Sequence, residues 1–170
     1  MVLTKSELIG ALQHEVQILL HLASKADPAM HDYRPTPKQR SVFELLRYMS
    51  ILGPELVKAT KRGAFDVESW TAANAAAEKR SFDETVAVIA GQKDFYASQI
   101  GEMSDDDFRA EMDVFGRSKS SKGAFMVSMV LGGHAAYRTQ LFLYLKSCGR
   151  DELSTMNLWA AMDAPAAAAV

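Results

Sequence analysis

Three times along the chain a hydroxyl residue stands three positions ahead of a glutamate at the head of an apolar run: Thr4-Lys-Ser-Glu7, Ser41-Val-Phe-Glu44 and Ser81-Phe-Asp-Glu84. Such a pair caps a helix. The hydroxyl takes the N–H of the third helical residue, and the carboxylate reaches back to the capping residue's own N–H. Behind the first box, Leu8, Leu12, Val16, Leu19, Leu20 and Ala23 recur at helical spacing and predict a helix over 5–24. The second heads a helix over 41–62 carrying Val42, Leu45, Leu46, Met49, Leu52, Leu56 and Val57. Gly53-Pro54 falls inside it; proline removes one intrahelical bond, so a kink rather than a stop is expected. The third heads a helix over 81–102, supported by Val86, Ile89, Phe95, Tyr96 and Ile100, with Gly91 a weak point near its middle.

A fourth long helix is predicted over 120–148, apolar nearly all round and closed by Gly149 as a left-handed cap. The connections are distinctive. Residues 27–40 hold three prolines and read as an extended crossing whose Tyr33 and Arg34 line a cavity mouth or a solvated loop. Residues 64–80 form a long link in which 71–78 make one or two helical turns and Trp70 holds the link to the core. Ser104-Asp-Asp-Asp starts a short helical turn, 114–120 is a loop, and 153–159 folds back over the helices. No strand is predicted. The expected fold is all-α, a four-helix bundle in a single domain over 1–170, the long link letting helices two and three run roughly parallel.

At 170 residues the chain can bury a substantial core, and its 48% hydrophobic and 24% charged residues are those of a soluble globular protein. A net charge of −2 gives no basic face for nucleic acid. No run reaches the roughly 20 apolar residues of a membrane span, and no signal peptide is evident, so a cytoplasmic location is expected. The closing Ala-Ala-Ala-Ala-Val is read as a frayed tail. The single cysteine, Cys148, excludes an internal disulfide and sits at a helix C-terminus, where the dipole disfavours a thiolate. No nucleophile–base pattern or phosphate-cradling glycine loop is present.

The chemistry that stands out is polar and lies in the apolar fourth helix. His134 and Arg138, four residues apart, share one face roughly 6 Å apart along the axis. Buried polar groups need partners. They form either a satisfied layer that fixes helix register or the floor of a ligand or metal pocket. In helix one, His14 and His21 are separated by two turns, roughly 10 Å, too far to share an ion.

Arg40-Ser-Val-Phe-Glu-Leu-Leu-Arg-Tyr48-Met, His134-Ala-Ala-Tyr137-Arg138-Thr-Gln140-Leu, and Leu145-Lys-Ser-Cys-Gly149 followed by Asn157-Leu-Trp159 resemble the DinB family, the DinB/YfiT-like bundles. The resemblance implies an up-down-down-up four-helix bundle, often a homodimer. It also implies a divalent metal, such as zinc or nickel, held by one histidine on helix two and an H-x-x-x-H pair on the last helix. Characterised members include thiol-dependent S-transferases and isomerases. Carried onto this chain, the helix-two histidine falls on Tyr48 and the first of the late pair on His134. The second falls on Arg138, or on Tyr137 after a one-residue shift. A guanidinium is no metal ligand, and a phenol is a poor one until deprotonated.

No metal is therefore expected, and if one binds, His134 is its motif ligand. The leading expectation is a small anionic ligand in a pocket of Tyr48, His134, Tyr137 and Arg138. Without a pocket, Tyr48 and His134 would bond to each other while Arg138 reached a carboxylate such as Glu44. The enzymatic alternative is a metal-dependent thiol transferase or hydrolase using ligands outside the motif, such as a helix-one histidine or Glu15. Gly132, Gly133, Ala135 and Ala136 allow close helix approach, within the bundle or across a dimer.

Overall fold

Each of the three predicted capping boxes is closed in both directions in the computed structural model, which describes residues 3–164. They start α1 (Lys5–Ala23), α2 (Val42–Arg62) and, beyond the shorter α3 (Val67–Glu78), α4 (Phe82–Gly101). The cap hydrogen bonds hold the Glu7, Glu44 and Glu84 carboxyls below the usual carboxylate range. The same device, with Asp107 and Asn157 as the third residue, starts α5 (Asp105–Arg109) and the last helix of the chain. After α5 come β1 (Glu111–Val114) and β2 (Ser118–Ser121), then α6 (Lys122–Phe125), a π-helical turn (Met126–Leu131), α7 (Gly132–Ser147) and α8 (Thr155–Ala160).

The long helices meet pairwise, α1 and α2 each packing against both α4 and α7. Leu12, Val16, Leu19, Leu45, Leu46, Met49, Ile89, Ile100, Met126, Val130, Leu141 and Leu145 are fully buried between them. Those on α1, α2 and α4 are positions that helical spacing marks as inward. Gly133 serves this packing, since a Cβ there would meet Leu52 at 3.2 Å across the α2–α7 contact. Pro54 sits inside α2 without ending it. Among the described residues no helix is long and apolar enough to cross a membrane. The predicted alanine tail lies outside the described residues.

Three features depart from the sequence expectation. The α2–α4 link forms a full helix of 12 residues, begun by the Asp66 side chain on the Ser69 N–H. Only Ala77 of α3 is buried, so apolar periodicity has nothing to register; alanine's own propensity carries the helix. The predicted loop is a two-stranded antiparallel hairpin, Glu111 facing Ser121 and Val114 facing Ser118. Its turn places Phe115 and Gly116 at positive φ, 55° and 68°, the conformation that suits a tight hairpin. With Met112 its one buried residue, it leaves no alternating pattern to read. Finally, the last helix is regular only up to Phe125: over Met126–Leu131 the turn widens, and the Gly132 N–H bonds the Val127 carbonyl five residues back.

Candidate functional site

His134 enters the core just after the π-helical turn and has 0% of its surface exposed. Its Nε2 lies 2.7 Å from the Tyr96 hydroxyl on α4. That hydroxyl also donates to Gln92 Oε1 at 3.2 Å, and Gln92 Nε2 donates to the Met49 carbonyl of α2 at 2.9 Å. A hydroxyl has one hydrogen. When it is given to Gln92, the imidazole carries its proton on Nε2 and donates to the phenol oxygen. Burial pushes the His134 pKa down to about 4 and the Tyr96 phenol above its usual range, so the pair is neutral on both sides. Nδ1 of His134 has no hydrogen-bond partner among the described residues. Space for the contact comes from α2: a Cβ at Gly53 would lie 1.7 Å from the Tyr96 hydroxyl and 2.8 Å from His134 Nε2.

One turn on, Arg138 faces a different group. Its Nε donates to Glu15 of α1 and its Nη1 to the Leu158 carbonyl of α8, while the guanidinium carbon lies 4.9 Å from the Trp159 ring centre. Arg138 is 3% exposed and Glu15 8%, so the two charges neutralise each other inside the protein. The pairing also fastens α8 to α1. His14 donates from Nε2 to the Trp159 carbonyl, 2.8 Å away, and His21 Nε2 lies 3.0 Å from the Asn157 amide nitrogen.

Tyr48 and Tyr137 do meet. Their rings are edge-to-face at 5.1 Å, with Trp70 of α3 edge-on to Tyr48 at 5.9 Å and the Arg40 guanidinium 3.8 Å above its ring. Burial, with the Tyr137 hydroxyl beside it, holds the Tyr48 phenol above its usual pKa range against the opposing pull of Arg40. The ion pairs among the described residues leave Arg40 without a carboxylate.

The four residues singled out in the sequence are therefore divided among three clusters. His134 bonds Tyr96 rather than Tyr48, and Arg138 pairs with Glu15 rather than Glu44, which takes Arg34 at 3.1 Å. Tyr96, Gln92 and Gly53 escape sequence reasoning. The signal for the first two is a glutamine at 92 on the apolar face made by Ile89, Tyr96 and Ile100. Burial also pushes the Cys148 thiol up, away from reactive thiolate.

This donor set does not fit a divalent cation. His134 turns its Nε2 to a phenol, Arg138 is cationic and paired, and Tyr48 would have to lose a proton that its surroundings hold more tightly than water does. Among the described residues no three His, Cys, Asp or Glu side chains are grouped as an ion would require. The frame that presents these residues has a solved counterpart. The crystal structure of a DinB-like protein, YjoA of Bacillus subtilis, superposes with a TM-score of 0.66 over 86% of this chain and 95% of that one, at 14% identity. The fold is DinB-like. No family model matches the sequence, and no curated protein matches it. The likeness is thus one of backbone, and the side chains of this DinB-like fold must speak for themselves.

Several cavities open on its surface. One, about 830 Å³, lies between the start of α1, α5 and the π-helical turn, lined by Leu8, Phe108 and Val127 among others. A second, about 400 Å³, separates the proline-rich connector from α7, with Tyr33, Gln39, Gln140 and Tyr144 in its wall. A third, about 340 Å³, lies between α2, α3 and α4. Tyr33 thus lines a cavity, as the connector suggests, while Arg34 is turned to Glu44 and the Gln39 carbonyl. Tyr48, His134, Tyr137 and Arg138 line none of the three.

Proposed function

We propose that the protein is a metal-free member of the DinB-like fold that binds a small anionic molecule against Arg40, Tyr48 and Tyr137. The observation that carries this reading is that Arg40 makes no salt bridge among the described residues. Arg138 has its charge cancelled by Glu15, whereas the Arg40 guanidinium, 3.8 Å above Tyr48, is in ion-pair contact with no carboxylate among the described residues, and Glu44, whose carboxyl it helps to hold low, is taken by Arg34. A guanidinium on an aromatic face keeps its edge N–H groups available for a carboxylate or phosphate. The Tyr48 hydroxyl, its pKa raised by burial, stays protonated at neutral pH and so donates rather than repels, and Tyr137 stands edge-on beside it. His134 and Arg138 act behind this surface, fixing the register of α7 against α4 and α1.

The test is ligand-observed NMR with small carboxylates and phosphate esters on the wild-type protein, Arg40→Ala and Tyr48→Phe. Anions whose signals broaden with wild type and sharpen with Arg40→Ala support the reading. A screen in which no anion binds, or in which every binder is indifferent to Arg40, removes it.

The same reading includes a homodimer. Met156, Trp159 and Met162 expose 40%, 64% and 55% of their surface around α8, an apolar excess that a second copy would cover. Sedimentation at micromolar concentration should give a dimer, and a monomer would contradict it.

A further inference from the structure

The cavity of about 340 Å³ between α2, α3 and α4 is a site of opposite charges, separate from the Arg40 surface. On one wall Arg80 donates from Nη1 to the Ser50 hydroxyl at 2.8 Å, and the ion pairs among the described residues give it no carboxylate. On the same wall Glu55 is 6% exposed, its oxygens taking Lys58 Nζ and the Ser69 hydroxyl, each at 2.7 Å. Ser50 and Glu55, five residues apart on α2, are separated by about 7.5 Å along the axis. Ile51, Pro54, Val88 and Phe95 give the space between an apolar lining. Pro54 has no N–H, so the Ser50 carbonyl lacks its helical donor and is one more acceptor there.

A second observation bears on the same space. The α4 wall is made by Val88, Gly91, Gln92 and Phe95, one face of the helix, and glycine is a poor choice in mid-helix. No neighbour requires it: a Cβ at Gly91 would meet nothing within 4 Å. Its effect is to leave the cavity open.

We infer that this cavity binds a small zwitterion, its carboxylate on Arg80 and its ammonium on Glu55, with a short methylene chain along Ile51, Pro54 and Phe95. With Arg80 held at Ser50, about 7.5 Å along α2 from Glu55, the spacing suits a linear ω-amino acid better than an α-amino acid. Lys58, whose side chain is 49% exposed, shares Glu55 or yields it to the ligand. Gln92 ties the site to the core, since its amide is also the last member of the His134–Tyr96 layer.

Calorimetric titration of the full chain with γ-aminobutyrate, 5-aminovalerate, butyrate and butylammonium tests this. At least one of the two amino acids should bind tighter than about 1 mM, and butyrate and butylammonium about tenfold more weakly than it. Failure of both amino acids to reach that affinity, or equal binding of the singly charged analogues, would overturn the inference. Gly91→Leu should fill the cavity at unchanged or raised Tm and weaken binding at least about tenfold, as should Arg80→Met. Wild-type affinity in either variant overturns it. Arg40→Ala should leave this binding intact; loss there would assign it to the other surface and equally overturn the inference.

Discussion

His134 on α7 and Tyr96 on α4 share a hydrogen bond of 2.7 Å in the fully buried centre of the protein, over a glycine of α2 that leaves them room. Three helices therefore have their relative positions set by one neutral polar contact and one missing methyl group.

Gly53→Ala must break that contact, because the new methyl would occupy the place of the Tyr96 hydroxyl. We expect a loss of about 2–4 kcal/mol in urea unfolding, the range of buried overpacking plus an unpaired polar group. Tyr96→Phe alone should cost about 1–3 kcal/mol by leaving His134 unsatisfied. In the Gly53→Ala background it should cost clearly less, since the clashing oxygen is gone. Additive losses in the double variant would show that the two sites do not meet.

The buried imidazole makes stability depend on pH. The folded pKa of His134, about 4, lies below its ordinary value of 6.5, so the unfolded chain binds the proton more readily. The contribution is complete above pH 6.5, falls as pH drops toward 4 and is flat below. Over that window it amounts to roughly 3 kcal/mol. Denaturation midpoints from pH 7 to 4 should fall for the wild type and fall less for His134→Gln. Parallel curves would place the titration elsewhere.

Breaking the pair of Arg138 and Glu15 should be severe. Glu15→Gln leaves a buried guanidinium with its charge uncancelled and should cost about 3–5 kcal/mol. Replacing both, as Glu15→Leu with Arg138→Met, should recover most of that loss. A single variant within about 1 kcal/mol of wild type would mean that water reaches the pair.

Protein purified without added metal should carry less than about a tenth of an equivalent of zinc, nickel, iron or manganese by elemental analysis. A stoichiometric ion lost on Tyr48→Phe or His134→Gln would restore the enzymatic alternative. Holding it would require the phenol to ionise against its surroundings.

How legible the molecule is depends on whether a feature is local. The Thr4, Ser41 and Ser81 boxes each set a helix start within one residue, because both bonds of a box close within four residues of chain. Met49, Leu52 and Ile89 declare their burial by spacing alone. The hairpin and α3 are hidden for the converse reason: they bury almost nothing, so turn conformation and helix propensity form them without an apolar pattern.

The candidate site was half legible. That His134 and Arg138 are buried and need partners follows from an apolar helix that carries them. Which partners they take does not, since Tyr96 and Glu15 stand 38 and 123 residues away along the chain. Sequence by itself determined the helices, their inward faces and the presence of polar groups among them. Only the tertiary structure decided that the imidazole meets a phenol, the guanidinium a carboxylate, and Tyr48 the ring of Tyr137. Hydrogen bonds reach about 3 Å, and the widened turn at Met126–Leu131 together with the space at Gly53 sets the alignment across that distance.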